Sequence, residues 1–132
     1  MTDGGDAQER LDTAIDDRFD AAIDRAIDSL PDAFVERLGS VAIVIEDEPT
    51  PDQLASVGAR GLYGLYQGVP RTAFGAENVP LPSKITLFRG PLLRGYGVGP
   101  RLDDAVEETV LHEVAHHFGL SDARLHELRH SH

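Results

Sequence analysis

Between Asp103 and Gly119 the sequence is compatible with little other than one local structure. Ala105, Val106, Val110, Leu111, Val114, Ala115 and Phe118 recur at the three- and four-residue spacing of a single helical face. Asp103 or Asp104 can cap its start, and Glu107 and Glu108 follow where the helix dipole favours negative charge. Gly119 is the residue type that leaves a helix through the left-handed conformation. An amphipathic helix over about 104–118 is expected, and the rest of the fold must pack around it.

That helix carries His112, Glu113 and His116. Positions i and i+4 share one face, one turn apart, so the two imidazoles can converge on one ion. Zinc accepts neutral imidazole nitrogen, and a catalytic zinc keeps three protein ligands and an open position. Glu113 is rotated by about 100° from His112. Its carboxylate is poorly placed to ligate the same ion but can reach a water held there. A general base is the role such a carboxylate fills, because bound metal brings the pKa of water towards about 7. The third ligand must come from chain that turns back. Gly119 permits that reversal, and Asp122 lies three residues beyond it. His126 is an alternative third ligand one turn further on, and Glu127 a weaker one.

In shuffled chains of this composition the His-Glu-x-x-His pattern arises roughly twice in a hundred. Requiring Gly119 and Asp122 as well lowers that by about a hundredfold, which leaves little room for an incidental motif on a solvated helix.

The remaining elements follow from local pattern. Residues 1 to 8 are polar and are expected to be disordered, with a single domain over 9–130. Leu11, Ile15, Phe19, Ile23, Ile27 and Leu30 mark an N-terminal amphipathic helix that ends before Pro31. A short helix from Asp32 to Leu38 should follow, then a strand at Val41 to Ile45, where β-branched residues run together. Residues 49–57 read as a loop or short helix. Residues 61–68 read as a strand, 68–83 as a long loop, 84–89 as a strand, and 90–100 as a turn-rich segment. Ser121 can cap a last helix from Asp122 to about Leu128.

The chain has 132 residues, 41% of them apolar, enough for one domain with one modest core. Its net charge of −11 disfavours nucleic acid and anionic membrane surfaces as partners. There is no cysteine, so a zinc ion would have to be held by nitrogen and oxygen. The acidic N-terminus lacks the pattern of a secretory signal, and no apolar run approaches about 20 residues. A cytoplasmic location is expected.

The string HEVAHHFGLSD, residues 112 to 122, resembles the metal-binding motif of the zincins. Its aspartate-terminated form resembles that of small bacterial proteins known as minimal zincin-like metallopeptidases. LPDAFVERLGSVAIVIEDEP, GLYGLYQGVP and PSKITLFRGPLLR are similar to that family's other shared blocks, in the same order. The resemblance covers about residues 19 to 128. It implies a compact α+β fold, with a small mixed sheet packed against the active-site helix and the ion in a cleft beside the sheet edge. It implies one Zn2+ held by His112, His116 and Asp122, a base at Glu113, and a peptide or protein substrate. The minimal members lack the large subdomain that forms the lower wall of the cleft in full-size zincin peptidases. This leaves a second reading open, a zinc-binding interaction or regulatory module with little peptidase activity.

Other residues have weaker claims. His117 points about 100° away from His116 and should hydrogen-bond, pack on the sheet or face water. Tyr63, Tyr66 and Tyr96 are possible hydrogen-bond donors to a transition state, although packing is the commoner use of a tyrosine. Arg89 and Arg94 can bind a substrate carboxylate or pair with surface acids. His130 and His132 belong to the tail and can pick up adventitious metal.

Overall fold

A computed structural model describes residues 3–57, 62–68 and 83–129, without the side chains of residues 3–5 and 40. The expected loop at 69–82 and the tail histidines His130 and His132 lie outside the described residues. The elements in chain order are α1 (Asp3–Asp28), α2 (Asp32–Arg37), a 3-10 turn (Leu38–Ser40), β1 (Ala42–Glu46), α3 (Pro51–Val57), β2 (Gly64–Gln67), β3 (Lys84–Phe88), α4 (Arg89–Tyr96), α5 (Pro100–Phe118) and α6 (Asp122–Leu128).

The strands form one mixed sheet in the order β1-β3-β2. β1 runs parallel to β3, with Ala42 beside Lys84 and Glu46 beside Phe88. β2 runs antiparallel to β3, with Gly64 beside Leu87 and Gln67 beside Lys84. Ile85, Thr86, Leu87 and Phe88 are all buried, as befits a central strand covered on both faces. Among the described residues β2 pairs with β3 alone and so forms one edge of the sheet.

α5 is the centre of the core. Leu102, Val106, Val110, Val114 and Phe118 are buried along it. Ile15, Phe19, Ala22 and Ala26 of α1 join the same cluster, as do Ile85 and Leu87 of the sheet and Leu125 of α6. Ion pairs seam the margins. Arg18 meets Asp103 at 2.9 Å, and Arg25 meets Glu107 and Asp104. Arg129 bridges Glu107 at 2.9 Å and the Ser29 hydroxyl at 2.9 Å, tying the end of α6 to α1 and α5. Among the described residues no helix is long and apolar enough to cross a membrane.

The structure departs from the sequence pattern at three places. α1 begins at Asp3, so residues 3–8, expected to be disordered, continue the helix. A formed helix adds residues at little cost, and Gln8 donates to Asp12 one turn on at 2.9 Å. The segment read as turn-rich contains α4. Its glycines answer to neighbours rather than to turns. A Cβ at Gly90 would collide with the Glu48 carboxylate, and one at Gly95 would fall 2.9 Å from the Tyr63 hydroxyl. α5 starts at Pro100, not at Asp103 or Asp104, because proline suits a first turn that needs no N–H.

Candidate metal centre

His112 and His116 stand one turn apart on the exposed face of α5, with ring centroids 4.6 Å apart. Glu113 between them is only 4% exposed. One ligand atom from each of the three lies within 4.8 Å of the others. Glu113 Oε1 is 3.3 Å from His116 Nδ1, and Oε2 is 3.9 Å from His112 Nε2.

The edge strand reaches this carboxylate. In an antiparallel pair, main-chain groups alternate between facing the partner strand and facing away. The Tyr63 carbonyl accepts from the Phe88 N–H at 2.9 Å, so Tyr63 and Leu65 turn their groups towards β3. Gly64 and Tyr66 turn theirs outward, and the Tyr66 N–H donates to Glu113. Burial holds the Glu113 carboxyl above its ordinary range; His116, His112 and this amide pull it back. Gly64 permits the close approach. A Cβ there would fall 2.5 Å from Thr109 Cγ2 and 3.2 Å from the Thr86 carbonyl oxygen. A glycine inside a strand pattern is the sequence sign of such contact.

After His116 the chain reverses as expected. Gly119 takes φ 68° and ψ 31°. The Leu120 N–H reaches back to the Ala115 carbonyl at 2.8 Å, closing the helix end. The Ser121 hydroxyl accepts from the Arg124 N–H at 3.1 Å and caps α6. This brings Asp122 to His112, with both carboxylate oxygens 3.0 Å from Nδ1. Asp122 thus joins the group through His112, outside the close triplet of His112, Glu113 and His116.

A second His–carboxylate contact lies one turn away, where His126 Nε2 is 3.4 Å from Glu108 Oε2. Glu108 sits four residues before His112, on the same helix face. Together these residues flank a cleft of about 890 Å3 with α5 as floor. Gly64 and Leu65 of β2, Tyr96 of α4, and Asp122, Leu125 and His126 of α6 also line it.

The other candidates resolve into contacts. His117 is buried, with Nδ1 3.0 Å from the Tyr66 hydroxyl, which is itself 3.1 Å from Ser83 Oγ. Tyr66 therefore anchors the edge strand to α5. Arg89 pairs with Asp12 and Asp16, and Arg94 with Glu48, as surface partners. Glu127 pairs with Arg124. Tyr63 and Tyr96 remain on the cleft.

A family profile described as zincin-like metallopeptidase matches residues 38–131. The chain belongs to the zincin-like metallopeptidases. A solved structure of a conserved hypothetical protein from Thermo thermophilus is similar, with 30% identity over 76% of this chain and 91% of that one, at a TM-score of 0.51. No curated protein matches the chain. In this zincin-like metallopeptidase α1 lies outside the family match, yet it supplies much of the packing behind α5. The family implies zinc, and the donor set fits it. Two imidazoles and nearby carboxylates converge at the cleft, and nitrogen and oxygen are the ligand types a chain without cysteine can offer.

Proposed function

We propose that this zincin-like protein is a zinc-dependent peptidase in which His112, His116 and Asp122 hold one ion and Glu113 is the general base. The observation that carries this reading is Glu113 itself. A nearly buried carboxylate is costly unless something offsets it. Here it is set between two exposed imidazoles and oriented by a main-chain N–H from the strand edge. A purely structural zinc site has no need of it.

Zinc bound there would act as a Lewis acid, acidifying a water and polarising the carbonyl that it attacks. Glu113 would take the proton of the attacking water and pass it to the leaving amine. The outward groups of Gly64 and the outward carbonyl of Tyr66 would hold an extended peptide as an added strand beside the cleft. The Tyr66 side chain, engaged by His117 and Ser83, would keep that edge at a fixed distance from α5 rather than touch the substrate.

The contact between Asp122 and His112 Nδ1 favours a second role for Asp122, as the group that orients His112 while the ion sits on the other ring nitrogen. The two roles differ in how far metal affinity depends on Asp122.

The peptidase reading is tested by loading the protein with one equivalent of zinc, removing excess bound by the tail histidines, and offering a diverse peptide library. Cleavage that a chelator stops and zinc restores is expected. A protein that retains one zinc and cleaves nothing would instead be an interaction or regulatory module.

A further inference from the structure

We infer that Arg129 is a positioning residue of the zinc site: it holds His126 so that this imidazole cannot become a fourth protein ligand, and the fourth place on the ion stays open. This rests on the peptidase reading, in which that place must take a water, and it assigns the residue that keeps it open.

By position alone His126 is a candidate ligand. It follows Asp122 by four residues on α6, the same step that separates His112 from His116 on α5. Both pairs line the cleft. Side chains at that spacing share one helix face, so Asp122 and His126 can turn to a common ion as the two α5 imidazoles do. Ligation by His112, His116, Asp122 and His126 together would complete a tetrahedron. That is the pattern of a structural zinc and not of a catalytic one. A catalytic site here therefore requires that His126 stay off the ion.

Arg129 meets that requirement through hydrogen bonding. Each of its guanidinium nitrogens has a partner. Nε donates to the Ser29 hydroxyl at 2.9 Å, Nη2 donates to Glu107 Oε2 at 2.9 Å, and Nη1 lies 3.0 Å from His126 Nδ1. A guanidinium can only donate. His126 Nδ1 must therefore accept, and the ring proton sits on Nε2. That nitrogen faces Glu108, with 3.4 Å between Nε2 and Oε2, and Glu108 also lines the cleft. A protonated ring nitrogen has no in-plane lone pair for zinc. Ligation through Nε2 would move the proton to Nδ1, directly against a guanidinium N–H, where a bound imidazole needs an acceptor. The guanidinium has little room to yield. Its side chain is only 19% exposed, Glu107 is held from the other side by Arg25, and the Ser29 hydroxyl donates to the Ala26 carbonyl at 2.7 Å, which leaves its oxygen to accept. The grip on the α6 imidazole thus comes from α1 and α5.

The test reads the imidazole directly. Long-range proton–nitrogen NMR of the full chain, loaded with one equivalent of zinc, should show His126 with its proton on Nε2 and neither nitrogen on the metal. Acetohydroxamate, a small ligand that needs the open place, should bind this form in calorimetric titration. Arg129→Met keeps the apolar stem and leaves Glu107 paired with Arg25. It should let His126 Nε2 join the ion, tighten zinc binding by about tenfold or more, and weaken acetohydroxamate by a similar factor. Adding His126→Gln to Arg129→Met should return both affinities to within about threefold of the wild type. Removing His126 would not repair lost packing at residue 129, so this recovery separates positioning from support of the fold. A wild-type His126 with its proton on Nδ1, or with Nε2 on the zinc, would overturn the role of Arg129 whether or not the variants fold. Unchanged zinc and acetohydroxamate affinities in Arg129→Met would also overturn it, and would leave the open zinc site standing. If the zinc-loaded wild type binds no acetohydroxamate while His126 keeps its Nε2 proton, the open-site reading fails and the role of Arg129 fails with it.

Discussion

Replacing Glu113 with Gln should lower kcat/KM on any cleaved peptide by about 10²- to 10⁴-fold, the usual contribution of a positioned general base. Zinc content should stay at one per chain. The amide keeps the shape of the carboxylate and can still accept from the Tyr66 N–H, so the cleft should be preserved. What is lost is the ability to take a proton. A variant that keeps more than a tenth of the activity would show that another group does so. A variant that loses its zinc would show that Glu113 is a ligand, a role its closeness to both imidazoles makes worth measuring.

The same substitution should change stability in the opposite direction. Burial raises the Glu113 pKa on folding. Such a group supports the fold below its unfolded value, about 4.3, and that support is lost as pH rises through the folded value. Without metal, Glu113→Gln should therefore melt above the wild type at neutral pH, and the two should converge as pH falls below about 4. A site group that weakens the metal-free fold is the pattern expected where function and stability compete. Equal melting temperatures across the whole range would remove the argument that burial of Glu113 is unfavourable.

Asp122→Ala has the second large effect, on metal affinity. If Asp122 is the third ligand, its loss should weaken zinc binding by more than about 100-fold, because two imidazoles alone hold zinc poorly. If it only orients His112, the loss should fall within about 10- to 100-fold. Competition with a chromophoric chelator distinguishes the two. The structure makes the helix tolerant of this change. α6 is held by buried Leu125, by the Ser121 cap, and by Arg129 on Glu107 and Ser29. A large loss of affinity would therefore report on the carboxylate and not on melting of α6. Unchanged affinity would point to His126, which already faces Glu108 in the same cleft.

The parts of this fold legible in the sequence are those whose signals are local. The stripe of α5, the left-handed Gly119, the Ser121 cap and the β-branched run of β1 each announce themselves within a few residues. The expectation of a small mixed sheet beside the helix bearing His112 and His116 agrees with the β1-β3-β2 arrangement. α4 is hidden because its glycines serve close approach to Glu48 and Tyr63, contacts that no local pattern reveals. The cleft is hidden for a related reason. Tyr63 precedes β2, Tyr96 ends α4 and Glu108 lies within α5, so only packing brings them together. His117 shows how far spacing can reach. Its rotation away from His116 follows from helix geometry, but its contact with Tyr66 depends on where β2 lands.

Anomalous diffraction at the zinc edge, from crystals of protein loaded with one equivalent of zinc, tests the central claim most directly. A single strong peak in the cleft is expected, about 2.0–2.2 Å from a nitrogen of His112, a nitrogen of His116 and an oxygen of Asp122. Glu113 should stand back from the ion, within reach of the open position. A peak held by Glu113 in place of Asp122, or one seated at Glu108 and His126, would contradict the account.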